Sequence, residues 1–203
     1  MMRRFLEPID RRFGTYRGLI RLGLAHVEHA TGRLRPFMNH DLGHVRRLVF
    51  VCQGNICRSS FADHLARSLG TASASFGLAT TTGTSADPTA IKISRQFGVN
   101  LTPHRVTDIK DFQFQPGDLL LAMEIRQARK LAHSSLPADV HVGLLGNWGK
   151  PRRFHLHDPF SLSENYFVTC FQVIDTAVKE LCREYAEAQR CGDQSKRPNA
   201  ARR

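Results

Sequence analysis

From residue 47 the chain alternates continuous apolar runs with segments whose apolar positions recur every three or four residues. "RLVFVC" (47–52) is apolar and β-branched with no polar alternation, which predicts a strand buried on both faces. "SFADHLARSLG" (60–70) follows, with Phe61, Ala62, Leu65, Ala66 and Leu69 at helical spacing and Gly70 as a stop. "SASFGLA" (73–79) reads as a weaker strand, and "DPTAIKISRQFGVN" (87–100) as a helix opening after Asp87-Pro88 and closing near Gly98. "GDLLLAM" (117–123) and "DVHVGLL" (139–145) predict two more strands, separated by the helix "EIRQARKLAHS" (124–134). "GNWGKPRRFHLHDPF" (146–160) is a long loop. A last helix, from about Ser163 to Gln189, places Phe167, Cys170, Phe171, Ile174, Val178, Leu181 and Cys182 on one stripe. Ser161 and Glu164 have the spacing of its capping box. Strands alternating with helices predict an α/β fold: a four-stranded parallel sheet, doubly wound, with helices on both faces.

The first 45 residues follow another pattern. "TYRGLIRLGLAHVEHA" (15–30) spaces Leu19, Ile20, Leu22, Leu24 and Val27 as a helix among arginines, weakened as a free helix by two glycines. Three placements fit: on an anionic membrane surface, docked on the domain, or unstructured. The organisation expected is a basic extension over 1–45, one α/β domain over 46–190 and a basic flexible tail over 191–203.

Charge supports that division. Of the net +11, residues 1–47 hold +6 (ten arginines against four acids) and residues 183–203 hold +3 (six basic groups against three acids), leaving the middle near neutral. Basic ends suit an anionic partner, but no zinc knuckle, aromatic RNA-binding signature or recognition helix accompanies them, so nucleic acid is not expected. No run approaches the roughly 18 apolar residues of a membrane span, and the N-terminus lacks a secretory signal's apolar core. Five cysteines at irregular spacing suggest reduced thiols and a cytoplasmic protein rather than a disulfide framework.

The chemistry concentrates in "VFVCQGNICRSS" (49–60), where the first strand delivers Cys52 to a small polar loop that runs into a helix. In parallel α/β sheets ligands bind at the carboxyl ends of the strands, where Cys52 sits. A short loop entering a helix N-terminus turns backbone N–H groups and the positive end of the helix dipole inward, a cradle for a phosphate-like dianion. Gly54 allows close approach, Asn55 tolerates positive φ, and Arg58 adds a two-pronged fork for two oxygens. The same positive field favours the nucleophilic thiolate of Cys52.

"VFVCQGNICRS" resembles the C-x5-R-S phosphate loop of the low-molecular-weight protein tyrosine phosphatases, with Cys52, Gly54, Asn55, Ile56, Cys57, Arg58 and Ser59 in agreement. The family's late Asp-Pro-Tyr is matched by Asp158-Pro159-Phe160, and the resemblance spans about residues 47 to 190. It implies the phosphotyrosine phosphatase I-like fold and a phosphatase without metal or cofactor. Cys52 would form a phosphocysteine and Arg58 would clamp the phosphoryl oxygens. Asp158 would protonate the leaving oxygen and then deprotonate the hydrolytic water. Gln53, Gly54, Ile56 and Cys57 would complete the loop, with Ser59 on the thiolate. Asn55 would hold the loop's shape, buttressed by His104 and Ser75, and Phe160 would flank the substrate. Cys57 would shield Cys52 through a reversible disulfide. The implied partner is a phosphotyrosine-bearing protein, such as a bacterial tyrosine kinase of polysaccharide export.

The sequence departs from that pattern at Ser60 in place of Pro, in the absence of an aromatic from "LATTTGT" (78–84), at Phe160, and at Thr107 where an Arg is usual. Two other functions share the fold. A thioredoxin-coupled arsenate reductase would need two relay cysteines, but Cys170 and Cys182 are twelve residues apart on one helix, about 18 Å. A catalytically silent phosphate-binding module would not need Cys52, Arg58 and Asp158 together.

Overall fold

In the computed structural model, residues 2–195 are described, with side chains from Glu7 to Cys191. Four strands, β1 (Arg47–Cys52), β2 (Ser73–Gly77), β3 (Asp118–Ala122) and β4 (His141–Leu144), form one parallel sheet in the order β2-β1-β3-β4. The described residues add six α-helices: α1 (Met2–Phe13) and α2 (Tyr16–Ala30) before the sheet, α3 (Arg58–Ser68), α4 (Pro88–Ser94) and α5 (Ile125–Ala132) between its strands, and α6 (Glu164–Ser195) after it. The strand order reverses direction between β1 and β3, the switch point at which open α/β sheets hold their ligands.

Alternation along β1 divides the core in two. Leu48, Phe50 and Cys52 face the layer of α3, α4 and α6, where Phe61 stacks on Phe171 at 4.1 Å. Val49 and Val51 face the opposite layer, with Leu120 and Ala122 of β3 and Ala128 and Leu131 of α5. At the start of the sheet Arg47 donates through Nε and Nη2 to the buried Asp118 carboxylate, both at 2.8 Å.

Several local expectations change. Leu69 is exposed, because α3 ends at Ser68 and the next residue already turns away from the core. The cap of α6 is Ser163, not Ser161: Ser163 Oγ accepts from Tyr166 N at 3.3 Å, while Ser161 sits at φ 61° in the preceding turn. α6 also continues past Gln189 to Ser195, and residues 196–203 of the expected tail lie outside the described residues.

The N-terminal segment packs on the domain. α2 presents its small residues, with Gly18 and Ala25 buried, and leaves Leu19, Ile20, Leu24 and Val27 exposed. Behind it Leu34 and Phe37 enter the core beside Val49 and Leu120, and Leu42 and Val45 enter the other core beside α6. α1 joins as a second helix despite Pro8 inside it, lying against α2 and α6. No helix of the described residues is long and apolar enough to cross a membrane.

Candidate active site

Cys52 ends β1 and Arg58 opens α3; the five residues between them turn around the Cys52 sulfur. The helix has no side-chain cap at Cys57, so its first N–H groups and its dipole serve the loop cleft instead. Cys52 Sγ lies 3.0 Å from Ser59 Oγ and accepts from Asn55 N at 3.2 Å.

Asn55 gives the loop its shape from φ 54°, a conformation that Asn adopts more readily than most residues. Every polar atom of its side chain is engaged. Nδ2 donates to Ser59 Oγ (2.9 Å) and Ser75 Oγ (3.0 Å), and Oδ1 accepts from Thr107 N (3.0 Å). His104 Nε2 lies 2.8 Å from Asn55 O, a carbonyl that can only accept. Burial lowers the pKa of His104, so this is the neutral ring donating through Nε2. Thr107 serves through its backbone N–H, which any non-proline residue supplies. Behind Ser75 stands Asp63, absent from the sequence reading: Ser75 Oγ donates to Asp63 Oδ2 (3.2 Å), and Arg67 grips the same carboxylate (2.9 and 3.0 Å). A chain of hydrogen bonds thus runs from a buried carboxylate to the sulfur.

Arg58 is 1% exposed and held from three sides. Nη1 donates to Glu124 Oε1 and to Leu156 O, each at 2.8 Å, and Nη2 donates to Asp158 Oδ2. Burial works against its charge, but Asp158, Cys52 and Glu124 outweigh it and push the guanidinium pKa up. Its Nε is buried and has no partner among the described residues, so that N–H is open to a phosphoryl oxygen. Glu124, also 1% exposed, was missed in the sequence. Its one signal is an acid directly after an apolar buried strand, where a carboxylate needs a partner.

Asp158 closes the cleft from the long loop. Its side chain is 35% exposed, and its Oδ1 accepts from Phe160 N at 3.2 Å. Cys52, Gln53, Gly54, Ile56, Cys57, Arg58, Asp158 and Phe160 line a cleft of about 180 Å³. Among the described residues Phe160 is its one aromatic wall; the 78–84 loop is instead tied back by Thr80 N on Asp108 Oδ2 (3.0 Å) and by Asp108 N on Thr82 Oγ1 (2.9 Å). Cys57 is buried in the loop, its thiol pKa pushed well up by burial and by Asp87, Asp158 and Cys52. Cys170 and Cys182 lie in the α6 core, and burial pushes the Cys170 thiol up to about 12. They offer no pair of thiolates for a reductase relay.

A sulfur in a loop that turns N–H groups inward, facing an arginine fork and a carboxyl group, is an arrangement suited to holding a phosphate ester. Comparison with known proteins is more specific. Residues 47–191 match the family described as low molecular weight phosphotyrosine protein phosphatase. The low molecular weight protein-tyrosine-phosphatase Wzb of Salmonella typhi is 30% identical over 146 residues, covering 70% of this chain and 93% of Wzb. Among solved structures, the tyrosine phosphatase Wzb from Escherichia coli K30 in complex with sulphate superposes with a TM-score of 0.59 at 27% identity, over 68% of this chain and 96% of that one. The tyrosine phosphatase AmsI of Erwinia amylovora gives 0.58 at 27%, over 69% and 93%. The chain belongs to the low molecular weight phosphotyrosine protein phosphatase family and is a phosphatase.

Proposed function

We propose that this phosphatase hydrolyses protein phosphotyrosine in two steps through a phosphocysteine on Cys52. The carrying observation is that Asp158, 100 residues beyond Arg58 in sequence, lines one cleft with Cys52 and Arg58. The incoming phosphoryl oxygens take the Nε and Nη2 donors of Arg58, and Asp158 Oδ2 leaves Nη2 for the ester oxygen. The Cys52 thiolate attacks phosphorus, the P–O bond to the leaving group breaks, and Asp158 gives that oxygen its proton. Asp158, now a carboxylate, takes a proton from water. The water oxygen attacks phosphorus, the S–P bond breaks, and inorganic phosphate and the thiolate result. Ser59 and Asn55 N stabilise the sulfur as it departs. Asn55, with Ser75 and His104 behind it, keeps the loop in the geometry that both steps need.

Phe160 supplies a face for a phenyl ring, which supports an aryl ester. The protein substrate we propose is a bacterial tyrosine kinase, on the strength of the family resemblance, and the free cysteines support a cytoplasmic setting. A membrane-side location is supported by α2. Tyr16, Leu19, Ile20, Leu24 and Val27 stay exposed there, with Arg17, Arg21, Arg33 and Arg35 exposed around them, a combination suited to anionic lipid.

The test of the chemistry is turnover of para-nitrophenyl phosphate by the wild type and by Cys52→Ser. The variant is expected to be inactive; turnover close to wild type would end the phosphocysteine mechanism. Co-sedimentation with vesicles containing phosphatidylserine, weakened in Ile20→Glu/Leu24→Glu, tests the lipid contact. Equal sedimentation of both proteins, or none, would remove it.

A further inference from the structure

The segment 153–158 carries both the carbonyl that meets Arg58 and the acid Asp158, and the α1–α2 hairpin covers its outer side. At the end of α1, Arg153 donates through Nη2 to Arg12 O (3.0 Å), and its guanidinium lies 5.2 Å from the Phe13 ring centre. The buried Phe154 stacks on His29 (4.6 Å) with His26 edge-on (5.4 Å). His157, directly before Asp158, places ring Nε2 3.2 Å from Thr15 Oγ1, and the same hydroxyl oxygen caps α2 by accepting from Gly18 N (3.1 Å).

The ring's proton can be placed. Burial lowers the pKa of His157, so the ring is neutral, and its Nδ1 is buried with no partner among the described residues. A stranded lone pair costs less than a stranded N–H, so Nε2 carries the proton and donates to Thr15. On the other side of the residue, Tyr166 donates its hydroxyl to His157 O (3.2 Å).

The fit depends on two residues without side chains. A Cβ at Gly14, where φ is +79°, would stand 2.6 Å from the Tyr166 ring and 2.8 Å from His157. One at Gly18 would stand 3.0 Å from the His157 ring and 2.1 Å from Phe13 O. Side chains then alternate along the segment: His157 turns outward to the hairpin, and Asp158 turns inward to Arg58.

We propose that the α1–α2 hairpin, which lies wholly outside the family match at 47–191, clamps the acid loop: Thr15, seated by Gly14 and Gly18, fixes His157 and so sets Asp158 over Cys52. Thr15 and His157 are positioning residues and touch no reacting atom. The inference rests on Asp158 being the general acid. An acid carried on a loop is only as well placed as its supports, and a misplacement of about 1 Å can cost on the order of 100-fold.

The experiment compares Thr15→Val, which keeps the shape and removes the hydroxyl, with Thr15→Ser, which keeps the hydroxyl, and with Gly18→Val, which wedges the hairpin off His157. For each full-length protein, kcat/KM is measured on phenyl phosphate, whose leaving oxygen needs a proton, and on para-nitrophenyl phosphate, whose leaving oxygen does not. Inhibition by inorganic phosphate and the melting temperature are measured beside them. Thr15→Val and Gly18→Val are expected to lose on the order of 10-fold on phenyl phosphate and little on the nitrophenyl ester. Their phosphate inhibition constant should stay unchanged, and Thr15→Ser should behave as wild type. Equal losses on both esters, no loss at all, or a matching rise in the phosphate constant would overturn the clamp; if Gly18→Val does not fold, the Thr15 pair decides alone. Asp158→Asn separates the two levels. If it fails to discriminate between the esters, the acid assignment falls and the clamp with it. If it discriminates and the hairpin variants do not, the clamp alone falls.

Discussion

Replacing Glu124 by Gln removes a charge that the fold has buried against Arg58. Both side chains are 1% exposed and meet at 2.8 Å, so water cannot take over the lost interaction. Breaking a buried ion pair by removing one partner costs about 3–5 kcal/mol, because the other charge stays buried. Asp158 remains as a second counter-ion and the new amide oxygen can still accept from Nη1, which puts the expected loss at the low end, about 3 kcal/mol. For a chain of this size 1 kcal/mol moves Tm by about 2–4 °C, so the variant should melt roughly 6–12 °C below wild type at pH 7. The dependence on pH has a definite sign. Burial raises the Glu124 carboxyl pKa, but Arg58 beside it lowers it by more, leaving it below the usual range. A depressed folded pKa gives stability that is present above the unfolded value of about 4.3 and lost as pH falls through the folded one. The gap between the two proteins should therefore be constant from neutral pH down to about 5 and close in more acid solution. Thermal unfolding followed by circular dichroism at several pH values reads both quantities. A variant melting within about 2 °C of wild type, the range of an ordinary surface change, would show that the pair is not the support described.

Three further outcomes follow from the same geometry. Asp158→Asn should slow phosphorylation of Cys52 by roughly 10²–10⁴-fold, more on phenyl phosphate than on the nitrophenyl ester; equal losses on both esters would make Asp158 a turn residue only. Arg58→Lys keeps the charge and loses the fork that reaches Glu124, Leu156 O and the phosphoryl group together, so steady-state kinetics should show a fall of 100-fold or more, about 3 kcal/mol of charge-assisted bonding; activity near wild type would refute the loop assignment. Deleting residues 1–45 removes Leu34, Phe37, Leu42 and Val45 from the two cores, at about 2–5 kcal/mol for each large side chain, which exceeds the margin of a typical domain; a truncated protein with the wild-type melting temperature would show the segment to be dispensable.

The local sequence determined much of this protein. Apolar runs of strand length between helical repeats specify a parallel α/β sheet, since a strand with both faces apolar must be covered on both. The loop from Cys52 to Ser59 is legible because every part of it lies within eight residues, on a strand end and a helix start that are themselves local. Asp158 was legible through a second short motif. What the sequence could not supply was any relation that depends on which surfaces meet. Glu124 and Asp63 look like ordinary acids beside arginines, and only burial against Arg58 and Ser75 makes them supports of the site. Leu19, Ile20, Leu24 and Val27 carry the helical pattern of α2, yet the helix docks through Gly18 and Ala25, because two backbones approach closely only where side chains are small. Thr107 departs from the family's usual residue without consequence for Asn55, since a backbone N–H makes that contact. His157 reads as one histidine among ten; its place between Thr15 and Asp158 exists only once the α1–α2 hairpin has folded back over the 146–160 loop.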